Sequence, residues 1–509
     1  MSAGVVIGRI IRFVVIGTLS VGGLGLLSFG PRDTEPMPPG RVVVEYWEKW
    51  TGYEEQAARA IVNDFNNTIG KEKNIYVRYL SISYVNQKTL VATAGGDPPD
   101  IAGLNDWQMS QFAALDAIEP LEGMAAEYSQ RNPQNKIDAT TYKKVYWDSV
   151  NFGGHLYALI STPASLGLLY NKKIFDEAGI THPPKTIAEL DEFARKLDIL
   201  DQYGRVVRAG TLPQEPGWYL YYLPIWFGGN IWDESTHRFT LTDPRVVKAF
   251  DWIQSYARKF GAANMQAFFG SMEGKFDSPN NGFMHGDIVM EMNGPWMANY
   301  IYHNNKSMGE QVMPHVQEMA LVQAGKITNE ERRKNYAWAF APWPAEEPYD
   351  DPRHAVTYCT SDILVIPKGA RHKQEAFEFM AYVTRQDVME KLCLSHCKNS
   401  PLTAVSERFR NQHTNPYIDV YEDLASSPKA QFAPRVPIIM EVKDTLDVAI
   451  QNLAYMRTNP KTGQPYTPIE ALQEAQDQLQ AKYDDFAQNQ SARHGEIAGA
   501  PPSGKEVAR

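Results

Sequence analysis

The sequence predicts an α/β fold, doubly wound and built in more than one unit, behind an apolar N-terminal segment. Three observations carry this. The chain has 509 residues, well beyond the roughly 100–200 that one compact core takes. Strand-like and helix-like runs alternate early with short loops between them, the order that builds a parallel sheet covered by helices. Several helix starts carry side chains suited to capping them.

Taken in order, residues 1–30 hold Arg9 and Arg12, no acid, and an uncharged apolar run over 13–30. That is a basic then apolar segment, read as a signal peptide or a transmembrane anchor. Residues 31–40 are a Pro-rich linker. A strand is expected over 42–47. Thr51 and Glu54 then form a capping box, and Ala57, Ala60, Ile61 and Phe65 give the following helix an apolar face. Further strands are expected at 75–80 and near 101–104, the second after the turn GGDPPD at 95–100. Ligands of such sheets bind beyond the C-terminal ends of the strands, where Trp47, Trp50, Asp106 and Trp107 fall. Thr186 and Glu189 mark another helix, continued by Leu190, Ala194 and Leu197. Asp243-Pro244 opens one carrying Val246, Phe250, Ile253 and Ala257. Thr467 and Glu470 open a last helix with Leu472, Ala475 and Leu479. A polar tail over 486–509 is expected to be disordered.

Composition narrows the function. The hydrophobic fraction of 43% and charged fraction of 22% are those of a globular chain. A mean hydropathy of −0.40 excludes a polytopic membrane protein. The net charge of −10 argues against binding nucleic acid. The aromatic load is high, with 11 Trp, 26 Tyr and 21 Phe, and aromatics outside the core line binding surfaces. Cys359, Cys393 and Cys397 are an odd number and make no full disulfide framework, although Cys393 and Cys397 could close a small loop at a helix end. No H-E-x-x-H, G-x-S-x-G, P-loop or G-x-G-x-x-G motif is present. No cofactor is expected, and no metal either, since no ligand cluster has the spacing.

The order of local motifs resembles the sugar-binding family of extracellular solute-binding proteins of ABC importers, the family of maltose- and glycerol-phosphate-binding proteins. The matching stretches are LVATAGGDPPDI at 90–101, GGHLYAL at 153–159, LYNKKIF at 169–175 with Gly179 and PPKT at 183–186, FMHGDIVM at 283–290 with GPW at 294–296, FAPWP at 340–344, and 361–367 with the helix that follows. Each is weak alone; their shared order is specific, and the implied fold spans about 41–485. His155 stands where the family usually has Lys, the usual Pro is missing near 158–161, and an insertion lies around 304–334. These departures touch loops, so they leave the ligand's identity more open than the fold.

The resemblance implies two doubly wound α/β lobes joined by a hinge, the type II periplasmic-binding-protein architecture. The first lobe would comprise 41–160 plus 340–395, the second 161–339 plus 396–485. It also implies a carbohydrate captured in the interlobe cleft by hinge closure and delivered to ABC transporter permease subunits, with no catalysis. The location would be the periplasm or cell surface, anchored to the cytoplasmic membrane by 13–30.

A sugar offers flat C–H faces, which rings cover, and hydroxyls, which carboxylates and amides bind. The candidate ligand residues are therefore Trp47, Glu48, Trp50, Asp106, Trp107, Trp218, Tyr219, Asn293, Trp296, Ser361, Asp362 and Arg435. Against each stands a structural role: packing for the tryptophans, including Trp226 and Trp232, solvation for Glu48, and a salt bridge for Arg435. Asp100 reads as a turn cap, and Trp147 and Trp252 as core. The alternatives are a glycosidase-like enzyme, which needs two facing carboxylates, a ligand-binding sensor component, and an oligopeptide- or metal-binding protein of similar shape.

Overall fold

The computed structural model describes residues 38–499 apart from Tyr219 and Glu273, with side chains described to residue 490. The apolar run 13–30, the end of the tail from 500 and Tyr219 lie outside the described residues. Among the described residues no helix is long and apolar enough to cross a membrane.

Two mixed sheets organise the chain. The strands in chain order are β1 (Val42–Glu48), β2 (Ile75–Ser81), β3 (Ile101–Asn105), β4 (Leu159–Ser165), β5 (Gly167–Asn171), β6 (Ile199–Leu200), β7 (Val206–Thr211), β8 (Ile288–Asn293), β9 (Trp338–Ala341), β10 (Thr357–Val365) and β11 (Ala430–Gln431). The first sheet runs β11-β10-β3-β1-β2, with β4 on β10. Strands β2, β1 and β3 are parallel, as their helical crossovers require. Strand β10 returns antiparallel against β3, with Asp362 opposite Asn105. The second sheet runs β9-β5-β8-β7-β6.

The chain crosses between the sheets three times. Leu166 alone separates β4 from β5. Residues 342–356 link β9 to β10, and 432–438 lead from β11 into a helix over Ile439–Ala454. One core packs α1 (Gly52–Asn67) and the helices Lys373–Val383 and Gln386–Ser395 around the first sheet. The other packs the helices Ile187–Leu197, Pro244–Phe260 and Ile439–Ala454 around the second.

The expected boundaries need correction. Strand β9 pairs with β5 in the second sheet, so the first lobe resumes with β10 and not at 340. Leu402, Phe409, Ile418 and Ala425 pack in the first core and β11 joins the first sheet, so 396–431 does not belong wholly to the second lobe. Pairing partners decide this, and they are far away in sequence. The tail is also revised: the last helix spans Pro468–Gly499, so 486–499 is helical, and Gln490 donates to the Ala114 carbonyl at 2.9 Å.

The caps divide. Thr467 and Glu470 close a reciprocal box (2.9 and 3.4 Å), and Asp243 accepts from the Arg245 N–H at 2.9 Å. Thr186 accepts from the Glu189 N–H, but the Glu189 carboxylate takes the Lys185 N–H instead. Thr51 makes no side-chain cap, and the reciprocal half of the box is also absent, the Glu54 carboxylate lying toward Lys398 and His396. Asp100 is the turn cap expected, accepting N–H groups from Glu45, Arg371 and His372. The three cysteines are free and buried.

Candidate functional site: the interlobe cleft

The C-terminal ends of β1 and β3, the middle of β10 and the end of β8 converge beside the hinge. On the first-lobe side, Asp362 receives Lys49 at 2.9 Å and Lys398 at 2.6 Å, and Thr162 donates to it at 2.9 Å. Burial pushes its carboxyl up, but the two ammonium groups outweigh this and hold it well below the usual carboxylate range. Glu48 is fully buried, its oxygens taken by the Tyr46 hydroxyl (2.7 Å), the Lys49 N–H (2.8 Å) and the Lys49 ammonium (3.3 Å). Gly103 makes room for it: a Cβ there would lie 1.9 Å from Glu48 Oε2. Trp50 packs edge-on to His396 at 4.7 Å. Burial holds that imidazole neutral, at about 3.

Asp106 differs from these. Its Oδ1 accepts from the Trp107 N–H at 2.9 Å and the Thr360 hydroxyl at 2.8 Å, while Oδ2 is buried without a partner. Burial pushes its carboxyl up to about 7 against those hydrogen bonds. Ser361 Oγ, on the adjoining strand, is likewise buried and unpartnered. Both belong to the buried polar atoms that lack a partner among the described residues.

The second-lobe side is aromatic. Asn293 ends β8 opposite Gly167, the first residue past the hinge. It donates to Glu291 at 2.8 Å, and the Gly294 N–H donates to its Oδ1 at 2.9 Å. The Trp296 ring lies over Gly294, where a Cβ would sit 2.1 Å from it. Trp218 is 43% exposed and lies 6.5 Å from Trp296 and 4.6 Å from Phe276. Phe276 leads to Tyr300 at 4.8 Å, and Tyr300 meets Tyr53 of the first lobe at 5.4 Å. An arc of rings thus runs from one lobe to the other.

The expected site residues therefore separate. Trp218, Asn293 and Trp296 come together on one side, and Asp106, Trp107 and Ser361 on the other. Trp107 follows β3 yet packs against the second lobe's core, spanning the cleft. Trp47 is half-buried against the first core, its indole N–H buried without a partner. Four of the expected residues are engaged within the chain. Glu48 and Asp362 are buried in contacts with Lys49 and Lys398, and Trp50 is buried against His396. Arg435 pairs with Glu234 at 2.7 Å and donates to the Asn151 carbonyl at 3.3 Å, a link between lobes. Trp226, Trp232 and Trp252 are core, and Trp147 lies half-buried against the first core.

Phe276, Tyr300, Tyr53, Glu215 and Glu291 escaped the sequence reading. One signal was available: Glu291 interrupts the apolar run IVMEMN of β8. Burial alone pushes Glu215 up to about 7, and burial followed by the Glu215 charge pushes Glu291 to about 8. Among the described residues no three His, Cys, Asp or Glu are placed to hold a metal ion.

Residues 51–390 match the family model described as bacterial extracellular solute-binding protein. The maltotriose-binding protein of Pyrococcus abyssi is 24% identical over 229 residues, 44% of this chain. That stretch spans 44% of the relative, less than half its length. Among solved structures, one titled CpMnBP1 with mannotriose bound aligns over 86% of this chain and 99% of its own, with a TM-score of 0.66 and 21% identity. The GacH receptor of Streptomyces glaucescens, solved unliganded and with acarbose, aligns over 87% and 98%, with a TM-score of 0.62 and 19% identity. At such identities the likeness establishes the fold, that of the type II sugar-binding proteins.

Proposed function

This chain belongs to the family of bacterial extracellular solute-binding proteins, and from that premise we propose that it captures a carbohydrate between its lobes and delivers it to the permease of an ABC importer. The observation that carries the reading is the ring arc Trp296–Trp218–Phe276–Tyr300–Tyr53 across the lobes, with Asp106 Oδ2 and Ser361 Oγ on the first-lobe side buried without partners. Rings cover a sugar's C–H faces, and buried acceptors take its hydroxyls. The names of the relatives, with maltotriose, mannotriose and acarbose, point the same way. A ligand touching both sides favours the closed arrangement, which is what a permease would read. The basic then apolar segment 1–30 supports export, with 13–30 as the membrane anchor or signal.

Calorimetry against a panel of oligosaccharides tests this. A carbohydrate should bind without being hydrolysed. Trp218→Ala and Trp296→Ala should each weaken it about tenfold, in line with the loss of one stacked ring, with unfolding midpoints little changed because both side chains keep some exposure. No binding across the panel would discard the reading, and product formation would replace it with an enzymatic one.

A further inference from the structure

The insertion over 304–334 supplies no ring to the arc described above, yet it is firmly held. Arg332, fully buried, donates to Glu318 at 2.8 Å and to the His413 and Thr414 carbonyls at 2.7 and 2.9 Å. Glu318 also accepts from the Asn335 amide at 2.7 Å and the Tyr336 hydroxyl at 2.9 Å. A buried network with its members satisfied makes a rigid wall.

That wall and the helix Met297–Asn304 border a cavity of about 550 Å³, its mouth included, a size typical of small-molecule sites (roughly 300–1,000 Å³). Lys306, Glu310 and His315 line it from the insertion, Tyr302 from the helix, and Tyr336 and Trp338 from β9 and its approach. No ring of the interlobe arc lines it, and neither Asp106 nor Ser361 does. Tyr302 meets His315 at 4.2 Å between ring centres, and Tyr336 meets Trp338 at 5.1 Å. The Trp338 indole N–H and His315 Nδ1 are buried without a partner among the described residues, and Trp338 is only 1% exposed. Such atoms occur elsewhere in the chain; here two of them line one cavity.

The lining specifies an occupant. An indole N–H can only donate, so it needs an acceptor. Burial lowers the His315 pKa, which leaves the ring neutral at pH 7 with one nitrogen able to accept. Lys306 and Glu310 give the mouth one charge of each sign, which favours no net charge in a guest. Four rings suit a flat apolar body, and a hydroxyl is a single group that both accepts and donates. We propose that this cavity is a second ligand site, outside the cleft, that takes a small neutral phenol. Its ring lies among Tyr302, Tyr336 and Trp338, its oxygen accepts from the Trp338 N–H, and its hydroxyl donates to His315. This site does not depend on the carbohydrate-capture reading.

The experiment is calorimetry with the full chain against phenol, anisole, toluene and benzoate. Anisole keeps the oxygen but not its proton, toluene has neither, and benzoate adds a charge. Phenol should bind at least about tenfold tighter than toluene, as for one or two net hydrogen bonds, with anisole between them and benzoate weaker than phenol. Trp338→Phe keeps a ring and removes the N–H, and should bring phenol and anisole down to the level of toluene. His315→Leu should bring phenol down to the level of anisole, and it alone decides if Trp338→Phe does not fold. Trp296→Ala, in the cleft, should leave phenol binding unchanged. The assignment is overturned if phenol does not bind, if toluene or benzoate binds as tightly, or if His315→Leu leaves phenol ahead of anisole. A loss of phenol binding in Trp296→Ala would place the phenol in the cleft and remove the second site.

Discussion

On the first-lobe side of the cleft, Asp362 sits between Lys49 and Lys398, and Glu48 has hydrogen bonds at both oxygens. On the second-lobe side, Glu215 and Glu291 have no cation among the described residues, and Glu215 lines a small cavity with the exposed Trp218. Both sides hold carboxyls withdrawn from solvent, although Glu215 keeps partial exposure. The first is complete within the chain; the second is not. The first cluster ties β10 to Lys49 and Lys398, whereas the second has no such tie among the described residues. Exposure and acidity alone do not separate these roles; the partner list does.

The contrast can be broken most forcefully at Lys398. Lys398→Met leaves Asp362 with one half-exposed ammonium and should cost about 3–5 kcal/mol, as for one partner removed from a buried pair. Denaturant unfolding measures it, and a loss no larger than that of a surface substitution would show that the first-lobe cluster is not structural. Acidity gives the next largest effect, with the opposite sign on the other side. In the unfolded chain a glutamate loses its proton near pH 4 (model value roughly 4.3), but in the fold Glu215 and Glu291 keep theirs to about 7 and 8. The folded state holds more protons across that interval, so their contribution to stability falls as pH rises from about 5 to 8. Glu291→Gln should flatten that slope and make the protein more stable than wild type at pH 8; identical slopes in thermal midpoints would refute it. Asp106, also raised to about 7, leaves a residual slope of the same sign. The smallest effect is expected at Arg435. Its pair with Glu234 is partly exposed, so Arg435→Ala should cost under about 1 kcal/mol and chiefly alter how readily the lobes separate, read by scattering with and without sugar.

Much of the fold was legible because it rests on local periodicity. The β1–α1–β2 run, the helix after Asp243 and the capping box at Thr467 follow from side-chain spacing and cap chemistry within a few residues. The lobe boundaries were less legible: Trp338–Ala341 looks like any apolar strand, and only its pairing with β5 assigns it to the second sheet. The site was half legible. Trp218 and Trp296 could be picked out because tryptophan beside Gly217 or Gly294-Pro295 sits poorly in a helix or strand. Glu48 and Asp106 could not be told apart, since both are acids at a strand end. Three-dimensional neighbours gave one a lysine and left the other with a bare oxygen.

By itself, then, the sequence determined the early alternation of strands and helices, the starts of a few helices and the supply of rings and carboxylates, because these depend on contacts a few residues apart. The tertiary structure decided which carboxylates are answered by lysine and which are not, that Phe276 and Tyr300 connect Trp218 to Tyr53, and that Arg435 ties the lobes together. Those outcomes rest on pairs separated by tens to hundreds of positions, and burial, which sets the charge state of each acid, exists only once the chain has closed around it.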